Sequence, residues 1–219
     1  MNKEYIKKLE NIIKTMLTPL KGIPFNLVIE SLSGNKVIPF NINDKKDIAL
    51  LKKLKLITII AGKEVNKRGI LRPRPNEVGN DIEPFIKKTL NRIGYKADTP
   101  FTSGGDKKST GYPDIEFLDE FGRVNYLECK TFNIENISTS QRSFYLSPSE
   151  NFKVTRDAHH FVVSFEVYVV KKRGTLNVYK CRSWKILDIN ALEVDVKYEF
   201  NADNKRMYGG ELILAEGKI

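Results

Sequence analysis

The chain has 219 residues, 41% hydrophobic and 29% charged, which suits a soluble α/β domain able to bury its own core without staples. Thirty-seven Lys and Arg against 27 Asp and Glu leave a net charge of +10 and a pI near 9.4. That balance points to a polyanionic partner, nucleic acid or an acidic membrane surface, or else to a lysine-rich surface with no such partner.

Two cysteines, Cys129 and Cys181, give neither a disulfide framework nor a cysteine-based zinc site. No apolar run is long enough for a membrane span or a secretory leader, so the expected setting is the cytoplasm, with no membrane contact.

In chain order, residues 2–18 place Tyr5, Ile6, Leu9, Ile12, Ile13, Met16 and Leu17 at three- and four-residue spacing, predicting an amphipathic helix. Pro19, Gly22 and Pro24 end it. Residues 25–29 read as a strand, Ser33-Gly34-Asn35 as a turn, and 37–40 as the partner strand. A second helix starts at Asn43 or Asp44 as N-cap and runs through Leu54, with a short strand over 56–60. The segment 67–75, with Arg68, Arg72, Arg74 and two prolines, reads as extended. It is either a phosphate-contacting arm or a solvated linker. It sets the expected boundary between an N-terminal region, 1–75, for recognition of a polyanion or dimerisation, and a chemistry-bearing domain, 76–219.

A third helix takes Asp81 as N-cap, carries Pro84 in its first turn and closes at Gly94, with Ile82, Phe85, Ile86, Leu90 and Ile93 buried. A polar loop over 99–111 follows, with Ser103-Gly104-Gly105, Lys107 and Lys108. Residues 114–132 alternate as a hairpin turning at Asp119-Glu120-Phe121-Gly122. Residues 141–146 read as a short helix or an extended piece. Residues 161–170 and 175–181 form a second hairpin, and 194–200 and 211–214 add strands. The fold class is α/β (α+β), a central mixed sheet flanked by helices.

The chemistry concentrates in the first hairpin. On a strand Glu128 and Lys130 share one face, and Asp114 begins the paired strand within reach of the same point. Two carboxylates beside an amine suit Mg²⁺, which binds through one or two carboxylates plus substrate phosphate. Acid-x-Lys also occurs at Asp44, Asp106, Asp195 and Glu216, but Glu128-Cys129-Lys130 ends an apolar strand, and Pro113-Asp114 is the only Pro-Asp in the chain.

Pro113-Asp114, thirteen residues, then Glu128-Cys129-Lys130 resembles the signature of the PD-(D/E)xK nuclease superfamily. Glu83 on the preceding helix, then Gly94, Tyr95 and the Ser103 loop, resembles the order found in archaeal Holliday-junction resolvases. That resemblance implies a restriction-endonuclease-like core with Asp114, Glu128 and Lys130 catalytic and Glu83 as an additional metal ligand. Glu77 is the alternative for that last place.

The chain is longer than such resolvases and carries unmatched flanks, so it is most similar to type II restriction endonucleases. This implies Mg²⁺-dependent cutting of double-stranded DNA at a specific sequence, a homodimer, and a cognate DNA methyltransferase in the same system. Gln141 and Tyr145 have the spacing of an element of the RecB-like branch. Arg142, Ser143, Tyr145, Lys153 and Arg156 are expected along the DNA groove, together with Arg68, Arg72, Arg74, Ser103, Lys107 and Lys108. His159 and His160, on opposite faces of a strand, are read as structural or surface residues, and Trp184 as core. The alternatives are a structure-specific repair or recombination nuclease and a non-catalytic DNA-binding protein.

Overall fold

The computed structural model describes residues 2–18, 20–133, 143–146, 151–197 and 213. The chain groups into two compact units, residues 1–23 with 193–219, and residues 24–192. Residue 75 therefore lies inside the second unit rather than at a boundary.

In the first unit, α1 (Lys3–Met16) starts where the Asn2 carboxamide accepts from the Glu4 amide at 3.1 Å, and none of its residues is buried. Gly22 N–H donates to Asp195 Oδ1 at 3.0 Å, and Val196 N–H to the Leu20 carbonyl at 2.9 Å.

The second unit is built on a six-stranded sheet: β1 (Ile70–Arg72), β2 (Lys96–Asp98), β3 (Ile115–Leu118), β4 (Val124–Phe132), β5 (His159–Arg173) and β6 (Leu176–Asp188). In space the order is β1-β6-β5-β4-β3-β2. Only β4 and β5 run parallel; every other neighbour is antiparallel. The expected mixed sheet is thus present, and both expected hairpins form it.

The helices differ more from expectation. Residues 25–29 are not a strand but the start of α2 (Phe25–Ser33), entered from Pro24 and ended at Gly34 with φ 72°. Phe25 and Ile29 are buried four residues apart on one helical face. Residues 37–40 keep a single bridge, Val37 to Ala158.

Asp44 caps α3 (Lys45–Arg68) as expected, accepting from Lys46 N–H at 2.7 Å and Asp47 N–H at 3.2 Å. The helix continues unbroken through 56–60, because Ile57 and Ala61 fall on the stripe of Leu50, Leu54 and Val65 that meets the core. Gly62 lets that stripe approach β5; a Cβ there would lie 3.1 Å from the Phe165 ring. A 3₁₀ turn (Pro75–Glu77) leads into α4 (Val78–Arg92), so Asp81 is in the first turn rather than at the cap. Pro84 is inside the helix.

α3 and α4 cover one face of the sheet. Leu127, Cys129, Phe161, Val163, Phe165, Ile115 and Phe117 meet Leu54, Ile82 and Ile86 there. Trp184 packs at the margin of this core. The opposite face carries Tyr126, Glu128 and Lys130 of β4 with His160 of β5, and Phe25 of α2 packs on His160 at 6.4 Å between ring centroids. Of the C-terminal strands, only Glu193–Val194 is a strand among the described residues. The expected strand residues 198–200 and 211–214 fall outside them, Ile213 excepted.

Candidate active site

The β3–β4 register pairs Ile115 with Leu127, which sets Asp114 opposite Glu128 on the same face. Asp114 Oδ2 accepts from Cys129 N–H at 2.8 Å, so the carboxylate is held against β4 itself. Lys130 Nζ donates to Glu128 Oε1 at 2.5 Å and lies 5.3 Å from the centre of the Phe144 ring. Asp114, Glu128 and Lys130 are thus brought together as the alternation required.

Glu128 is 4% exposed, and among the described residues its Oε2 has no hydrogen-bond partner. Burial first, then the neighbouring Asp114 charge, pushes its carboxyl up to about 7 despite the ammonium beside it. Asp114 is also raised, by burial and by Glu83, against the Cys129 amide and the Lys130 and Lys153 charges. Burying like charges this close is unfavourable on its own and is a common mark of a reactive centre.

Glu83 approaches from α4. Its charge acts on Asp114, Cys129 and Lys153, and it pairs with Lys87 at 3.0 Å, which also holds Thr99 at 2.8 Å. Glu77 faces Arg72 at 4.0 Å instead. Among the described residues no three His, Cys, Asp or Glu side chains are already grouped as a metal site.

A family model described as the type II restriction enzyme MjaV family matches residues 19–211. The chain belongs to this family. A curated relative, the type II restriction enzyme MjaV of Methanocaldococcus jannaschii, is 40% identical over 230 residues, spanning 98% of this chain and 97% of the relative. No solved structure matches. Membership of a type II restriction enzyme family makes the chain a site-specific deoxyribonuclease with DNA as substrate. Among the described residues no helix is long and apolar enough to cross a membrane.

The expected DNA contacts of this restriction enzyme divide by their partners. Arg74, Ser103, Lys108, Ser143, Tyr145 and Arg156 are exposed. Arg68 is exposed over the Phe85 ring at 5.7 Å, and Lys107 is exposed but paired with Asp98. Arg72 is committed instead to Asp81, through Nε at 2.6 Å and a second guanidinium nitrogen at 2.8 Å. Gln141 and Arg142 lie outside the described residues.

Lys153, expected along the DNA groove, is 5% exposed, and its Nζ donates to the carbonyls of Gly111 at 2.7 Å and Pro113 at 3.0 Å, around a cis Tyr112–Pro113 peptide.

His159 and His160 are both buried, so the structural reading holds and the surface one does not. His160 Nδ1 meets the Tyr112 hydroxyl at 2.6 Å, and His159 Nδ1 meets the Ile38 carbonyl at 2.9 Å. Sequence reasoning missed the ring of Phe144 over Lys130. It also missed the cluster of Asp47, Asp119, Arg123 and His159 at the far end of the hairpin. Only the turn residue Asp119 gave any local signal.

Proposed function

We propose that Asp114, Glu128 and Lys130 are the catalytic group of this restriction enzyme, with Glu83 beside them, and that Mg²⁺ is the divalent cation they use. The donor set supports that choice: two converging carboxylates, one with a buried oxygen lacking any partner, suit a hard cation that keeps several waters. Asp114 and Glu128 would hold it, with Glu83 acting from the next position outward. When bound, the ion supplies Lewis acidity at the scissile phosphate and neutralises charge that develops there.

The chain's own groups do the rest. Lys130, anchored through Glu128 Oε1, presents its ammonium to a phosphoryl oxygen or to the attacking water. Glu128 holds Lys130 at that point, and the attacking water releases its proton to the surrounding solvent. The water oxygen forms a bond to phosphorus, the bond to the leaving sugar oxygen breaks, and that oxygen takes up a proton.

Arg74, Ser103, Lys108, Ser143, Tyr145 and Arg156 are proposed to contact the duplex, with Arg68 and Lys107 able to join by swinging from their present neighbours. A homodimer fits a two-fold symmetric target, since one isologous interface presents two such centres to the two strands. We place the enzyme in the cytoplasm beside a cognate methyltransferase. The unmet Glu128 oxygen next to Asp114 is the observation that carries this reading.

The test is cleavage of a long natural duplex. Discrete fragments with Mg²⁺, and none with EDTA, are expected. Asp114→Ala and Lys130→Ala should bind the duplex and leave it intact. Cleavage by either variant at the unmodified enzyme's rate would end the proposal.

A further inference from the structure

The most unusual cation in the second unit is not the one in the motif. Lys153 is 5% exposed, yet among the described residues it pairs with no carboxylate within ion-pair distance. Two of its three N–H groups are taken by backbone oxygens, Gly111 at 2.7 Å and Pro113 at 3.0 Å. Removing an ammonium from water is unfavourable unless its donors are met and opposite charge lies near. Here two donors are met by backbone, and the carboxylates of Asp114, Glu128 and Glu83 all act to keep the charge, although burial outweighs them and lowers the ammonium from its ordinary value.

The carbonyl of Pro113 belongs to the peptide that leads directly into Asp114. Holding that oxygen fixes the plane from which the Asp114 side chain departs. The other end of the same residue is fixed by Cys129 N–H on Oδ2 at 2.8 Å. Asp114 is therefore clamped twice, once by β4 at its carboxylate and once by Lys153 at its backbone. The segment carrying Lys153 is itself anchored: Ser103 N–H donates to the Phe152 carbonyl at 2.9 Å, and Thr155 N–H to the Tyr126 hydroxyl at 3.0 Å.

We infer that Lys153 is a positioning residue for cleavage, setting the approach of Asp114 through the Gly111 and Pro113 carbonyls rather than by touching DNA. This rests on the catalytic reading of Asp114 given above. A side chain that fixes the geometry of a reacting group affects the rate of the chemical step, and a displacement of about 1 Å can cost about 10²-fold. A phosphate contact behaves differently. Its loss weakens binding and lowers the log–log salt slope by about 1.

Lys153→Met should lower the single-turnover rate on a long duplex with Mg²⁺ by about 10²-fold. Its affinity for that duplex in EDTA should stay within about threefold, with the salt slope unchanged. A drop in affinity with a shallower slope, or an unmodified rate, overturns the inference. If the Met variant does not fold, Lys153→Ala is read with and without ethylammonium. A cavity of about 200 Å³ bordered by Gly111, Tyr112 and Lys153 offers the small amine a way in. Recovery of rate by ethylammonium supports the clamp, and its absence overturns it. Asp114→Ala is run in parallel: if that variant cuts normally the catalytic reading has failed, whereas an inert Asp114→Ala with a fully active Lys153→Met removes only this inference.

Discussion

The hairpin of β3 and β4 carries a cluster of charge at each end, and the two are built on opposite principles. At the turn, Asp119 accepts from the Phe121 and Arg123 amides at 2.9 and 3.0 Å and from Arg123 Nε at 2.8 Å. Arg123 reaches on to Asp47 of α3 at 2.6 Å, and His159 of β5 stands 3.3 Å from the same carboxylate. Burial pushes the Asp47 carboxyl up, but the Asn41 amide, Arg123 and His159 outweigh it and hold it below its usual range. Positive and negative groups alternate, and among the described residues one Arg123 guanidinium nitrogen has no partner.

At the open end two carboxylates converge, both pushed upward, and Glu128 keeps an unmet oxygen. The same hairpin thus has one end where opposite charges are paired for the fold and one where like charges converge around an unmet acceptor suited to a cation.

The largest expected difference is in catalysis. Asp114→Ala or Lys130→Ala should reduce cleavage by at least about 10³-fold, roughly 4 kcal/mol in the barrier, while thermal denaturation shows no loss of stability. Arg123→Met should do the reverse. It strands Asp47 and Asp119, both almost fully buried, and should cost about 3–5 kcal/mol of stability by denaturant titration. Whatever fraction of it folds should cut at an ordinary rate. A folded but inactive Arg123→Met would break the division between the two ends.

The two regions also respond oppositely to pH in EDTA. Glu128, raised to about 7 from 4.5, binds a proton in the folded state that the unfolded chain has released above pH 4.5. Its contribution therefore declines as pH rises from 4.5 through 7, by up to about 3 kcal/mol. Glu128→Gln should consequently stabilise the protein by about 1–3 kcal/mol at pH 8, an effect absent at pH 4.5. Asp47, held low, contributes above the unfolded value of 3.8 and loses that contribution as pH falls below it.

His160, beside the Tyr112 hydroxyl, is driven down to about 3 by burial and then by His159, so the unfolded chain alone takes up its proton below about 6.5. The His160 contribution should fall as pH drops from 6.5 toward 3, by up to about 5 kcal/mol, opposing the Glu128 contribution above pH 4.5, so the slope is read cleanly in the Glu128→Gln background. Melting curves in EDTA between pH 4 and 8 check both signs. A Glu128→Gln variant less stable than the unmodified protein at pH 8 would show that the carboxylate is not strained.

What could be read from the sequence follows from the range of the interactions. Asp114, Glu128 and Lys130 were legible because one turn and a period of two place all three, within seventeen residues. The apolar, β-branched runs at 25–29 and 56–60 have no such rule. Buried helix and buried strand look alike over five residues, and contacts with His160 and with the Leu54–Ala61 stripe decide them. Asp81 was misread as a cap because its true partner, Arg72, sits on a strand preceding the helix. The burial of Lys153 was not legible because the carbonyls it holds lie 40 and 42 residues earlier. Arg123 and Asp47 are 76 residues apart. Local alternation is written in the sequence; pairing of charges across the fold is not.

The smallest effect tests whether partnering sorts charges on the surface as it does within the hairpin. Arg72 is about two-fifths exposed and sits on Asp81 through two nitrogens, and such a half-exposed pair contributes only about 0.5–1 kcal/mol. Arg156 is exposed and, among the described residues, pairs with no carboxylate. If paired cations serve the fold and unpaired ones the substrate, Arg72→Ala should shift stability by that small amount and leave DNA affinity within about twofold. Arg156→Ala should leave the melting temperature alone and lower the salt slope of DNA binding by about 1, the signature of one lost phosphate contact. Equal losses of affinity in both variants would mean that Arg72 exchanges Asp81 for phosphate when DNA arrives, and the sorting would then describe only the free protein.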